Sequence, residues 1–299
     1  MSRRDLLLLV ALTLAWGVNW PVMKFGVLDL PPLYFRIVCI SGGLVVLWLY
    51  ARFIGIPLAV PRGRWREVWR LAFPNIIVWH VLVVVAIKLL PAGRAAILGY
   101  TMPVWAVLAG LAFFDERPSR RHWWGVAAAL AGALLLLSSE LSALSGNPLG
   151  TGLILFAAAC WGYGTHLMRR HLRDIPALAV TFWMLVLVMP FMIVGSLLFE
   201  RASWRQPTPP EWASIAYNIF LAIAFCHVVW SHLARTLPPV ASGLSVMMIP
   251  VVGVFSSVWM LGEEPLWQDY VALALILFAL STVLLGPKTV QRDPAAAEP

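Results

Sequence analysis

Ten runs of roughly twenty mostly apolar residues, joined by short polar connections, constrain this chain more than any other feature. They read as spans at about 5–28, 32–53, 68–90, 93–114, 121–138, 150–169, 176–199, 212–233, 239–261 and 266–286. As an α-helix, a run of that length crosses a hydrocarbon core about 30 Å thick and satisfies its own backbone polar groups there. The expected fold is an all-α integral membrane protein with ten transmembrane helices. Composition agrees, since 61% of the residues are hydrophobic and 12% charged, against about 25% charged in a soluble domain.

The formal net charge of +8 would suit a nucleic-acid surface only if the basic residues shared one face. They sit instead at the ends of the apolar runs. With the N-terminus in the cytoplasm, the cytoplasmic side receives Arg3, Arg4, Arg52, Arg62, Arg64, Arg66, Arg70, Arg117, Arg120, Arg121, Arg169, Arg170, Arg173, Arg235, Lys288 and Arg292, sixteen of the 22 basic residues. Lys24, Arg36, Lys88, Arg94, Arg201 and Arg205 fall on the other side. Because Lys and Arg accumulate in cytoplasmic loops, the excess is an orientation signal. Both termini are expected in the cytoplasm of a bacterial-type inner membrane, with the lipid bilayer as partner and no nucleic acid. Ser2-Arg3-Arg4 before an apolar stretch resembles the start of a signal peptide, but the stretch runs on to Leu28 and recurs later in the chain. It reads as the first span.

The chain is internally repetitive. Trp16-Gly17 is answered by Trp161-Gly162, Met23-Lys24 by Met168-Arg169 and Asp29-Leu30-Pro31 by Asp174-Ile175-Pro176, all 145 residues later. Further on the offset is 147: Leu90-Pro91 matches Leu237-Pro238, Pro103 matches Pro250, and Asp115-Glu116-Arg117-Pro118 matches Gly262-Glu263-Glu264-Pro265. The expected organisation is a first repeat over 1–145, a second over 146–286 and a disordered cytoplasmic tail over 287–299. Five spans per repeat is an odd number, so the second copy crosses the membrane in the opposite sense. Inverted repeats place a transport site near the midplane, where the copies meet.

Trp16-Gly17-Val18-Asn19-Trp20-Pro21, Lys24, Pro31-Pro32 with Arg36, and the Glu-Pro pairs after spans four and nine resemble the EamA-type drug/metabolite transporters over all ten spans. That resemblance implies a central cavity lined by spans three, four, eight and nine with help from one and six, while five and ten lie outside or at a dimer face. The abundance of Trp and Tyr on the cavity spans resembles the YddG-like aromatic amino-acid exporter branch. The second repeat departs from the pattern, with Gly164-Thr165-His166 where the first has Asn19-Trp20-Pro21.

An ionisable group within a span is a functional candidate. All fourteen acids lie toward span ends or in loops, which argues against a midplane carboxylate as proton carrier or cation anchor. The midplane offers histidines instead: His80 and His227 at equivalent repeat positions, and His166 in span six. A buried imidazole favours its neutral form, so these residues can orient a zwitterion without fixing a charge, or else pack with one hydrogen bond each. Asn19, Trp20, Trp79, Tyr100, Trp161 and Tyr163 complete the candidate substrate-binding set. Trp16, Asn19, Trp20 and Met23 share one helical face, and the rings suit an apolar or aromatic solute, helix packing being the other reading. Pro103 and Pro250 are expected mid-span kinks, either working hinges or static bends. Lys24, Lys88 and Arg36 are expected to snorkel to the interface. Gly125 with Ala129, and Ala128 with Gly132, let another helix approach span five, within a monomer or across a homodimer.

Cys39, Cys160 and Cys226 lie in apolar runs without metal-ligand spacing, so no metal or cofactor is expected. An integral-membrane enzyme would need clustered acids or a nucleophile with its base, and Asp115-Glu116 reads as a pair without a partnering histidine. The expected function is therefore not enzymatic. It is export of a small neutral or zwitterionic metabolite, foremost an aromatic or other apolar amino acid, by alternating access. Multidrug or organic-cation export is the alternative, and both facilitated and proton-coupled mechanisms remain open.

Overall fold

The computed structural model describes residues 3–142, 146–170, 174–236 and 239–284; the 287–299 tail lies outside them. The described residues are helical and contain no strand. In chain order the spans are one (Arg3–Val27), two (Pro32–Phe53), three (Arg62–Leu89), four (Ala92–Phe113), five (Arg120–Ser142), six (Pro148–Arg170), seven (Ala177–Phe199), eight (Pro209–Thr236), nine (Pro239–Leu261) and ten (Trp267–Leu284). Among the described residues, eight helices are long and apolar enough to cross a membrane, and the Val246–Leu261 part of span nine is a shorter apolar helix. Span six is a 23-residue helix whose apolar character is diluted by Thr151, Trp161, Gly162, Tyr163, Gly164, Thr165 and His166.

Helix ends follow local chemistry. Proline opens spans two, six, eight and nine, where its missing N–H is unneeded. Span eight starts three residues earlier than its apolar run, because the Glu211 carboxylate accepts the Thr208 N–H at 2.7 Å in a capping box. Span three starts six residues earlier, its basic Arg62–Arg64 turn continuing directly into helix.

Helix contacts carry the inverted symmetry. Span one packs on nine and span six on four; span three packs on six and span eight on one; two pairs with seven and five with ten. Each contact maps onto another, or onto itself, when the repeats are exchanged. The Trp-Gly motif has its physical reason here. A Cβ at Gly17 would fall 2.5 Å from Val252 Cβ and 3.2 Å from the Ile249 carbonyl oxygen. At Gly162 it would fall 2.8 Å from the Trp105 carbonyl carbon and 2.9 Å from the Met102 oxygen. Val252 and Ile249 lie 147 residues after Trp105 and Met102, so one glycine contact occurs twice, where a helix of each repeat crosses a helix of the other.

The small residues of span five serve the monomer. A Cβ at Gly125 would strike Thr282 Oγ1 at 1.9 Å, and one at Gly132 would sit 3.4 Å from the Ala272 oxygen, so span ten fills that stripe.

Spans three and eight each contain a π-helical segment that the sequence reading does not anticipate, Phe73–Ile77 and Asn218–Phe225. Shifted by 147, the first falls inside the second. Each holds a buried asparagine, Asn75 or Asn218, whose amide donates to the carbonyl four residues earlier, Leu71 at 3.0 Å and Ser214 at 3.1 Å. Such insertions recur at functional sites.

The two mid-span prolines behave differently. Span four is interrupted at Tyr100–Thr101, and Pro103 occupies the first turn of its second half, Met102–Phe113. Pro250 lies inside a continuous helix.

Candidate substrate site

The residues singled out from sequence form three neighbouring groups. The first is aromatic and centres on Gly99, just before the break in span four. Trp20 and Tyr100 meet edge to face at 6.3 Å, and Trp79 and Trp161 at 5.2 Å. A Cβ at Gly99 would lie 2.8 Å from Trp20 and 3.4 Å from Trp79, so only glycine leaves room for both indoles. Spans one, three, four and six thus converge their rings at one place. Trp20 and Tyr100 are buried and the other two half-buried; the rings touch one another.

The second group is polar and lies next to the first. Arg36, buried in span two, donates from Nη1 to Asn218 Oδ1 at 2.9 Å and from Nη2 to His80 Nδ1 at 2.8 Å, with Met23 Sδ 3.4 Å from Nη1. Accepting at Nδ1 leaves the His80 proton on Nε2, the neutral tautomer. His227 Nδ1 donates to the Ile223 carbonyl at 2.7 Å and its ring meets Trp16 edge-on at 6.1 Å; Trp16 Nε1 donates to the Ala222 carbonyl at 3.2 Å. Both acceptors belong to the π segment of span eight. Asn19 is buried between Trp16 and Met23 on the same face, and its Oδ1 has no hydrogen-bond partner.

One expectation is corrected here. Arg36 does not snorkel: it is 7% exposed, turned inward by Asn218 from the other repeat. The polar site consequently carries a fixed positive charge, which the histidines alone would not supply. Lys24 is half-buried at the end of its span, donating to the Lys88 and Leu90 carbonyls at 3.0 and 2.9 Å. It ties the end of span one to the end of span three.

The third group lies toward the face where the chain begins. His166 Nε2 lies 2.8 Å from the Ala106 oxygen, its Nδ1 3.2 Å from Glu116 Oε1, and its ring stacks on Phe114 at 4.7 Å. Tyr163 packs against Phe113 and Phe114, each at 5.5 Å, away from the Gly99 cluster. Glu116 therefore does have a histidine partner, contrary to the sequence reading of the Asp115-Glu116 pair. With its carboxylate half-exposed, Glu116 pairs with His166 to tie the end of span four to span six.

The opposite face is closed by acids that reach across repeats. Glu263 accepts from the N–H groups of Ala92 and Gly93 at 2.6 and 3.1 Å, and Glu200 from those of Leu33 and Tyr34, both at 2.9 Å. Each carboxylate caps the positive end of a helix dipole in the other repeat. Beside them Arg94 pairs with Asp269 and Glu140.

The break in span four is held by Thr101, whose hydroxyl donates to the Leu98 oxygen at 2.6 Å and accepts Trp105 Nε1 at 3.1 Å. Pro103→Ala supplies the missing N–H and should let the two halves merge, slowing transport while folding is retained. If Pro103 and Pro250 are both hinges, Pro250→Ala should bias the opposite-facing state, because the repeats are inverted. Unaltered transport in both variants would make the prolines static bends.

A ten-span helical bundle built from two inverted repeats is the architecture of a membrane transporter. The chain belongs to the EamA-like transporter family, which matches residues 4–138 and again 148–285. It is 27% identical over 293 residues, covering 97% of this chain and 93% of the other, to the uncharacterized inner membrane transporter YedA of Escherichia coli K12. It is 26% identical over 301 residues, 96% of each chain, to a probable amino-acid metabolite efflux pump of Salmonella typhimurium. Over 210 residues, 67% of this chain and 71% of the other, it is 26% identical to the aromatic amino acid exporter YddG of Ancylobacter novellus.

Proposed function

We propose that this transporter exports small neutral or zwitterionic metabolites, amino acids with aromatic or other apolar side chains foremost, by alternating access across a bacterial inner membrane. The convergence of Trp20, Trp79, Tyr100 and Trp161 on Gly99 carries this reading. Four rings supply apolar area at the meeting of the repeats, next to the hydrogen-bonding groups Asn19, His80 and His227. The names of the Salmonella and Ancylobacter relatives support the amino-acid class. A cationic drug is disfavoured by Arg36. The family and the relatives named as transporters or efflux pumps support a role in transport and not in catalysis.

Efflux from loaded proteoliposomes tests the reading with phenylalanine, threonine and a quaternary ammonium ion, each with and without an imposed pH gradient. Phenylalanine should leave fastest and the quaternary ion should stay. Faster loss of the quaternary ion would replace the reading with drug export. A facilitator ignores the gradient; if His80 carries a proton, His80→Gln removes the gradient response and leaves gradient-free efflux.

Both termini are placed in the cytoplasm on the distribution of basic residues. In a cysteine-free background, Ser145→Cys should react with an impermeant maleimide added outside, and Ser119→Cys should not. The reverse pattern would invert the topology.

A further inference from the structure

We infer that Arg36 is the anchor for a carboxylate on the substrate, an inference that rests on the export reading and names the group the site recognises. A guanidinium keeps its charge throughout the physiological pH range, and a charge in the membrane interior is expensive without compensation. The three side chains that contact it, Asn218, His80 and Met23, are neutral, and no carboxylate pairs with it among the described residues. Arg94, the other buried arginine among the described residues, has Glu140 and Asp269, and of the more exposed ones Arg205 has Glu211 and Arg64 has Glu67 and Asp174. The Arg36 charge is left for something that arrives.

Geometry selects a carboxylate. A guanidinium offers five N–H donors in a planar fork that fits a carboxylate in bidentate fashion, and three neutral contacts do not fill it. The contacts of Arg36 also put the fork beside the ring cluster, since Met23 and His80 are chain neighbours of its members. Met23 is three residues beyond Trp20 on span one, about 4.5 Å along the helix axis, and His80 adjoins Trp79 in the chain. A solute with its ring among the indoles and its carboxylate on Arg36 would span adjacent turns of span one, a reach that suits the short linker of an aromatic amino acid. Asn19 Oδ1, one turn before Met23 on the same helix face, is buried without a hydrogen-bond partner and is a second polar group left unanswered.

The test is binding to the detergent-solubilised full chain, measured by calorimetry with phenylalanine, 3-phenylpropionate, phenethylamine and lactate. In the wild type, phenylalanine and 3-phenylpropionate should bind at least about tenfold tighter than phenethylamine, which keeps the ring and the amine but lacks the carboxylate; this comparison needs no variant. Arg36→Gln should weaken both carboxylates by a similar factor and leave phenethylamine unaltered, while Arg36→Lys, which keeps the charge and loses the fork, should fall between. Equal binding of phenethylamine and 3-phenylpropionate would overturn the anchor and leave the aromatic reading standing. Arg36-dependent binding of lactate as tight as that of 3-phenylpropionate would keep the anchor and overturn the aromatic reading. Binding of none of the four would overturn both.

Discussion

Arg94→Met should remove several kcal/mol of stability, seen as a large drop in the thermal unfolding midpoint of the solubilised protein. Arg94 holds Asp269 through both carboxylate oxygens, at 2.8 and 3.0 Å, and Glu140 through Nη1. The side chains are 7%, 8% and 6% exposed, so removing the cation leaves two carboxylates confined together with little water. Breaking a buried ion pair from one side costs about 3–5 kcal/mol, whereas neutralising a whole network is often tolerated. The triple variant Arg94→Met, Glu140→Gln, Asp269→Asn should therefore recover much of the loss. A single variant that melts with the wild type would show that the network contributes nothing.

Trp79→Ala and Trp161→Ala should each raise the half-saturation concentration for phenylalanine by about tenfold and leave that for threonine nearly unaltered. An aromatic pair contributes about 0.5–1.5 kcal/mol beyond area burial, and 1.4 kcal/mol is a factor of ten in affinity. The indoles lie 5.2 Å apart, so a substrate ring entering between them exchanges one aromatic partner for another, and truncation removes its contact on one side. An equal rise for both substrates would mean that the rings support the bundle. No change for any substrate would make them packing residues.

The ten spans were legible because apolar length is a local property, and the repeat because its glycines answer a steric demand that recurs twice. What escaped was set by partners distant in sequence. Arg36 looks like a snorkelling residue five positions into a span; Asn218, 182 residues away, holds it inward. Glu116 pairs with His166, fifty residues away, and not with the nearer His122, a contact made only when span six folds against span four. Pro103 and Pro250 read as equivalent, yet only the first accompanies a break, where the Thr101 hydroxyl and Trp105 stabilise the interruption. One signal was available and overlooked: Asn75 and Asn218 are amides inside apolar runs, as conspicuous in hydrocarbon as an ionisable group.

The two π segments give the bundle a mechanical property. A π turn holds one residue more than an α turn, and in a helix of 3.6 residues per turn one residue corresponds to about 100° of rotation. If the insertion moves along span three or span eight, the residues it passes rotate by that angle while the helix beyond keeps its length and hydrogen bonding. The segments lie at equivalent places in oppositely directed repeats, so the same displacement along the chain moves one insertion toward one membrane surface and the other toward the opposite surface. Spans three and eight are thereby built as a pair of counter-running screws, able to turn His80 and His227 toward or away from the centre without unwinding either helix.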